Sequence, residues 1–281
     1  MQLWFTEEHH GKVRISFKTK ETLYHEESPY QVLDIIDTDF FGRVMLLDGL
    51  VMLTERDEFI YHEMISHVPM AVLKEAKKIL IIGGGDGGTA RELLKYKSVV
   101  KIDLVDIDEM VSRGAKEFFP ALAPAFRDER LHTHYEDGIA FVKNSDEAYD
   151  LIIVDSTDPI GPGEGLFTGE FYTNCKNLLT DAGVLVVQSE SPQWDEELVV
   201  SIQKKLRKIF PLFKMYQAFI PTYPSGHWLF SFASKGLDPL EDLDAEKWNS
   251  LEIKTKYYNT EIHKGSFALP NFVKEMIDER E

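Results

Sequence analysis

The 281-residue sequence contains a single cysteine, Cys175, which excludes an internal disulfide framework and the small secreted scaffolds that depend on one. It has no apolar run near 18 residues, and its opening MQLWFTEEHHGKV lacks a basic stretch followed by an apolar one. Neither a membrane span nor an export signal is therefore expected, and the expected location is the cytoplasm. Positive charge is also scarce, with 31 Lys and Arg against 48 Asp and Glu and a formal net charge of −17. Nucleic-acid binding needs clustered basic side chains to neutralise phosphate, and the sequence shows no such cluster. Internal repeats and low-complexity segments are absent as well.

What is present can fill a core. The chain is 43% hydrophobic and 12% aromatic, enough for one large or two unequal globular domains. An acidic balance suits a cationic ligand, yet an acidic surface also serves solubility alone. The placement of the acids has to decide.

Residues 13–54 contain the β-forming segments VRISFKTKETLYHEE, YQVLDIID and RVMLLDG, separated by Ser28-Pro29 and ended by Asp48-Gly49, and predict a small antiparallel unit. From Glu55 to Leu73 the period becomes helical, with Phe59, Met64, Val68 and Val72 spaced for one buried face. Apolar runs at 79–82, 99–105, 151–154 and 184–187 then alternate with helical segments at 89–97, 108–118 and 168–179. That alternation predicts a parallel sheet covered by helices on both faces. The weaker strand 130–135 and the runs 213–220 and 227–234 bring the sheet to seven. Only PTYPSG separates the last two, so they are expected to pair as a hairpin and make the sheet mixed at one edge. The division expected is an N-terminal β domain over 1–56 and a Rossmann-like domain over 57–281. The tail from Leu237 onward, acidic and then helical, has no evident place.

In such sheets ligands bind beyond the carboxyl ends of the strands. After the first run, Gly83, Gly85 and Gly88 satisfy G-x-G-x-x-G, and Asp106 closes the next strand about 20 residues after the loop, as a nucleotide loop and ribose acid would. Asp86 lies inside that loop, where a carboxylate repels a dinucleotide pyrophosphate but holds a cosubstrate with a cationic tail. A helix N-cap is the structural alternative for Asp86, as it is for Asp137, which precedes Gly138 at the end of the 130–135 strand. The fourth run leads into Asp155-Ser156-Thr157-Asp158 and a Gly- and Pro-rich segment that reads as a lid. Asp86, Asp106, Asp137, Asp155 and Asp158 thus project from one sheet edge. Carboxylates so crowded raise one another's pKa unless cations lie between them, so the expected occupant carries several positive charges. The spacing His62-Glu63 to His67 is one residue too long for H-E-x-x-H, and no EF-hand loop is present; Mg²⁺ on Asp155 and Asp158 is the remaining metal alternative.

The segments IIGGGDGG, VDIDE, YEDG, VDSTDPIGP and PTYPSGHW, with LLDGLVMLTERDEFIYHEM upstream, together resemble the spermidine synthases of the polyamine aminopropyltransferase family. The resemblance runs in order from about Trp4 to Trp228 and implies a methyltransferase-like Rossmann domain, with its seven-stranded mixed sheet, behind a small N-terminal antiparallel β domain. It implies a transferase that moves an aminopropyl group from decarboxylated S-adenosylmethionine to an amine, commonly putrescine, with no metal and no further cofactor. Gln31, Asp86, Asp106, Asp137, Gly138 and Pro162 would bind the cosubstrate. Many members carry Glu where this chain has Asp106, which changes reach by one methylene and leaves the chemistry alone. Asp155 matches the proton acceptor, and Tyr61, His62, Asp86, Asp155, Ser156, Thr157, Asp158 and Tyr223 the amine channel, with Trp4 at its end. The resemblance also implies a homodimer or homotetramer.

Decarboxylation explains Asp86. The donor's ammonium has lost its neighbouring carboxylate, so the same acid attracts this donor and repels ordinary S-adenosylmethionine. A methyltransferase using S-adenosylmethionine, an NAD-dependent dehydrogenase and a polyamine-binding protein without catalysis are the competing classes. Acceptor choice among putrescine, cadaverine, agmatine and spermidine is not legible, although Met52, Glu190 and Trp194 are candidates for the channel floor.

Overall fold

The computed structural model describes residues 2–157 and 161–278, without the side chains of residues 161 and 162. The first 54 residues form five strands, β1 (Leu3–His9), β2 (Val13–Glu27), β3 (Val32–Thr38), β4 (Gly42–Leu47) and β5 (Leu50–Thr54), paired antiparallel in sequence order. Strand β1 escaped the sequence reading because LWFTEEH mixes acids with aromatics and buries one residue of its seven. One face of this sheet packs Leu33, Ile35 and Met45 on Met110, Val111, Ala115 and Phe119 of the following domain.

Helix α1 (Glu58–Val72) leads into the second sheet: β6 (Lys78–Gly83), α2 (Gly88–Leu93), β7 (Lys101–Asp106), α3 (Glu109–Phe118), β8 (Leu131–Tyr135), α4 (Gly138–Asn144), β9 (Tyr149–Asp155), α5 (Gly169–Leu178), β10 (Leu179–Gln188), α6 (Glu196–Ile209), β11 (Leu212–Phe219) and β12 (His227–Ser234). The strand order is β11-β12-β10-β9-β6-β7-β8. Strand β12 runs antiparallel to both neighbours, so β11 again points with the parallel strands, and the expected mixed edge and hairpin are present. Central strands such as β6 and β9 are apolar without alternation because both faces are covered. Among the described residues no helix is long and apolar enough to cross a membrane.

One expectation fails. The helical period predicts one buried face for α1, but residues Ile60 to Val72 are all buried. The sheet covers one side, and the unplaced tail covers the other with helices α7 (Ala245–Ser250) and α8 (Thr260–Ser266), bringing Trp248 and Tyr258 into the same core. The last helix, α9 (Asn271–Asp278), packs on α6 through Val273, Met276 and Ile277 against Val199 and Val200. Glu63 ties the tail down by accepting the backbone N–H groups of Lys256, Tyr257 and Tyr258, each at 2.8 Å. A buried carboxylate with three donors is worth several charge-assisted hydrogen bonds, and its loss strands three N–H groups. Glu63→Ala is expected to lower stability by about 3 kcal/mol, and hydrogen exchange should localise the loss to residues 245–266.

Candidate active site

A cavity of about 400 Å³ opens at the carboxyl ends of the parallel strands. The strand order sets the order of its groups: Asp137 after β8, Asp106 at the end of β7, Asp86 after β6, Asp155 at the end of β9 and Gln188 at the end of β10 all line it. The two central loops touch backbone to backbone. Gly83 has φ +80°, its Cβ would lie 2.1 Å from the Asp155 carbonyl oxygen, and the Gly84 N–H donates to that oxygen at 2.8 Å. Only glycine allows this approach, which brings Asp86 and Asp155 into one pocket.

Asp86 stands one residue before Gly87, the N-cap of α2, and lines the cavity. Its Oδ1 accepts the Gly88 N–H (2.7 Å) at the start of α2, and the same oxygen faces His62 Nε2 at 3.3 Å. Burial opposes its ionisation, but His62 and the Gly88 N–H outweigh burial and hold the carboxyl below its ordinary range. His62 is itself buried, with Nδ1 at 2.6 Å from Glu58 Oε2, and Glu58 is gripped by Arg91 Nη1 and Nη2 at 2.7 and 2.8 Å. A Cβ on Gly88 would lie 2.2 Å from the His62 ring, so glycine lets the ring seat against α2.

Asp155 accepts the Tyr61 hydroxyl on Oδ1 and the Thr89 hydroxyl on Oδ2, both at 2.6 Å. Burial and then the Asp86 charge push its pKa up, while His62, Thr89 and Tyr61 oppose the rise. Asp106 accepts the N–H groups of Gly85 (3.0 Å) and Asp108 (2.9 Å), yet burial pushes it up to about 6. Asp137 caps α4 through the Ile139 N–H at 2.8 Å and lines the cavity beside Gly138. Gln31 reaches in from the N-terminal sheet, its Nε2 donating to Asp108 Oδ2 at 3.1 Å.

On the β10 side, Tyr61 and Tyr223 face each other with ring centroids 5.8 Å apart, and the Tyr223 hydroxyl donates to the Met52 carbonyl at 2.7 Å. Met52, Ser156 and Thr157 line the same wall. The sequence reading missed Thr89, Glu58, Arg91, Gln188, Trp228 and Glu7. Only Trp228 and Glu58 stood within motifs it quoted, and no local pattern marks the others. Glu7 is 2% exposed and lines the cavity with His9, two residues on along β1. Trp4, expected at the end of the channel, is instead 56% exposed and lines no part of the cavity: three residues from Glu7, it points to the opposite face of the strand. Glu190 and Trp194 also stand off the lining; Glu190 Oε1 accepts from Gln188 Nε2 at 2.6 Å, and the Trp194 ring lies 5.0 Å from His9. Asp158 and the Pro162 side chain lie outside the described residues, as does the central part of the expected lid, while Gly163 and Leu166 beyond it line the cavity. Among the described residues no group of three or more His, Cys, Asp or Glu is arranged to hold a metal ion.

A glycine loop, an acid at the end of the neighbouring strand and two half-buried carboxylates meet at the switch point, where doubly wound sheets bind their ligands. The relatives agree. A model described as the spermine/spermidine synthase domain matches residues 58–244, and one described as the spermidine synthase tetramerisation domain matches residues 3–55. A polyamine aminopropyltransferase of Alkaliphilus metalliredigens is 56% identical over 280 residues, covering 99% of each chain. A spermidine synthase solved in complex with the transition-state analogue AdoDATO superposes with a TM-score of 0.96 at 42% identity, over 98% of this chain and 94% of the other. The spermidine synthase of Thermotoga maritima gives a TM-score of 0.94 at 42% identity, over the same shares of the two chains. The chain belongs to the spermine/spermidine synthase family and is a transferase, as the motifs implied.

Thr89→Val removes one of the two hydroxyls that favour ionised Asp155 and is close in volume. Carboxyl carbon NMR of the Asp155 side chain should show its pKa moving further up, and an unchanged titration would remove Thr89 from the site.

Proposed function

We propose that the cleft transfers the aminopropyl group of decarboxylated S-adenosylmethionine to putrescine, giving spermidine and 5′-methylthioadenosine. The observation that carries this reading is the order of groups along the cleft: nucleoside-type acids over β8 and β7, paired half-buried carboxylates over β6 and β9, and an aromatic and acidic wall over β10. Asp137 and Gly138 take the adenine edge, Asp106 the ribose hydroxyls, and Gln31 closes the nucleoside from the N-terminal side. Pro162 shares that pocket by resemblance. Hydroxyls donating to Asp106 favour its ionised form and so draw its raised pKa back down.

Asp86 holds the donor's ammonium. The acceptor lies between Tyr61 and Tyr223, whose faces attract a cationic chain, with Asp155, Ser156 and Thr157 at its attacking end. Ser156 Oγ is buried without a hydrogen-bond partner among the described residues, so it is available to an amine. Glu7, with Asp158 by its place in the motif, receives the far ammonium. An alkyl ammonium with a pKa near 10 loses its proton at a cost of about 4 kcal/mol at pH 7. Asp155 takes that proton, and its raised pKa lowers the mismatch. The freed nitrogen lone pair forms a C–N bond as the C–S bond breaks, and the departing pair neutralises the sulfonium to a thioether. Alignment of nitrogen, carbon and sulfur is the protein's main contribution.

The division at residues 56 and 57 makes the N-terminal domain a partner in both subsites through Gln31, Glu7 and Met52. Its outer strands leave Leu3, Trp4 and Val13 exposed, and with the match to a tetramerisation domain this supports a homo-oligomer, which light scattering of the intact protein checks against a monomer mass.

The decisive assay is release of 5′-methylthioadenosine from decarboxylated S-adenosylmethionine with putrescine, cadaverine, agmatine and spermidine offered in turn. Turnover is expected with putrescine, and none with S-adenosylmethionine as donor. Asp155→Asn should lower kcat by about 10²–10⁴ with an unchanged unfolding midpoint, and near-normal turnover would end its assignment as base.

A further inference from the structure

Both ring nitrogens of His62 face carboxylates, Nδ1 toward Glu58 at 2.6 Å and Nε2 toward Asp86 at 3.3 Å. A neutral imidazole has one N–H and one lone pair, so one carboxylate would then meet a lone pair in a buried site. An imidazolium donates to both. The ring is 3% exposed and pressed against Gly88, so it has no room to turn away from either partner.

We propose that Glu58 and Arg91 are positioning residues that hold His62 as a resident imidazolium, whose charge lets Asp86 and Asp155 remain ionised side by side. The charged groups around the ring are Glu58 on its own helix, Arg91 of α2 behind Glu58, Asp86 on the loop after β6 and Asp155 at the end of β9, with the Tyr61 ring beside it at 5.5 Å. Arg91 grips both oxygens of Glu58, which fixes the carboxylate plane and keeps Glu58 ionised. Burial opposes both ions here, but the partners prevail: Glu58 is driven down to about 2 and His62 up to about 10.

His67 is the internal contrast. It is equally buried one turn further along α1, with Nε2 at 2.9 Å from Glu92, but its Nδ1 meets the Tyr96 hydroxyl at 2.8 Å, which serves a neutral ring. Burial dominates there and the His67 pKa falls. Two histidines of one helix thus differ in charge, one cationic and one neutral, because one faces two carboxylates and the other faces one.

The effect on turnover rests on the transfer reaction proposed above, whereas the charge of His62 does not, so the two are measured separately. Ring-nitrogen NMR of ¹⁵N-histidine-labelled intact protein, with His62 assigned by its loss in His62→Gln, should show both His62 nitrogens protonated from about pH 6 to about pH 9 and His67 neutral. In Glu58→Gln the His62 midpoint should fall by about 1 to 3 pH units, and kcat should fall on the alkaline side at correspondingly lower pH, because loss of the imidazolium leaves Asp86 and Asp155 facing each other without a cation. A purely structural loss would lower kcat equally at every pH. A neutral His62 in the unaltered protein at about pH 7.5, or the same titration in Glu58→Gln, overturns the proposal whether or not the variant is active. Absent turnover with a charged His62 would instead count against the transfer reaction alone.

Discussion

The structure is organised around a repulsion. Asp86 and Asp155 leave adjacent strands whose loops meet backbone to backbone at Gly83 and Gly84, and both side chains are half-buried at the floor of one cavity. Two carboxylates in that position resist joint ionisation. The surroundings answer with donors: Tyr61 and Thr89 on the two oxygens of Asp155, and Gly88 and His62 both on Oδ1 of Asp86. The groups that do so come from α1 and α2, and those helices are in turn fixed by Glu63, His67, Tyr96 and Trp248 against the tail. A segment with no part in the cleft thereby determines how firmly its acids are held.

The sheet also acts as a ruler. Parallel strands lie about 4.8 Å apart, so groups at successive carboxyl ends form a row with fixed spacing. The acids after β8 and β7, the central pair and the β10 wall are consequently placed by topology before any side chain is chosen. The N-terminal sheet completes the row at both ends, through Gln31 at α3 and through Glu7 and His9 beyond β10. It is a small domain that works as a wall of the site.

The strands were legible because their side chains pack against covered faces and are apolar throughout, as in ILII at 79–82. The glycine loop was legible for a similar local reason: backbone close approach permits nothing larger. Strand β1 and the placement of Glu7 and Trp4 were not, since a mostly exposed strand carries little hydrophobic pattern and its register alone decides which residue faces inward. The all-round burial of α1 was also hidden, because the helix period reports that an apolar face exists and cannot say that a tail 193 residues later covers the polar one.

The sequence by itself determined the fold class, the family and the acids at the strand ends. These depend on local pattern, on strand and turn chemistry, and on residue types set next to one another in the chain. Tertiary structure alone decided the charges. That Asp86 is drawn down, Asp155 and Asp106 pushed up, and His62 raised where His67 is lowered follows from burial and from partners 2 to 94 residues distant. Proton affinity depends on distance and dielectric in space, and neither quantity is written along a chain.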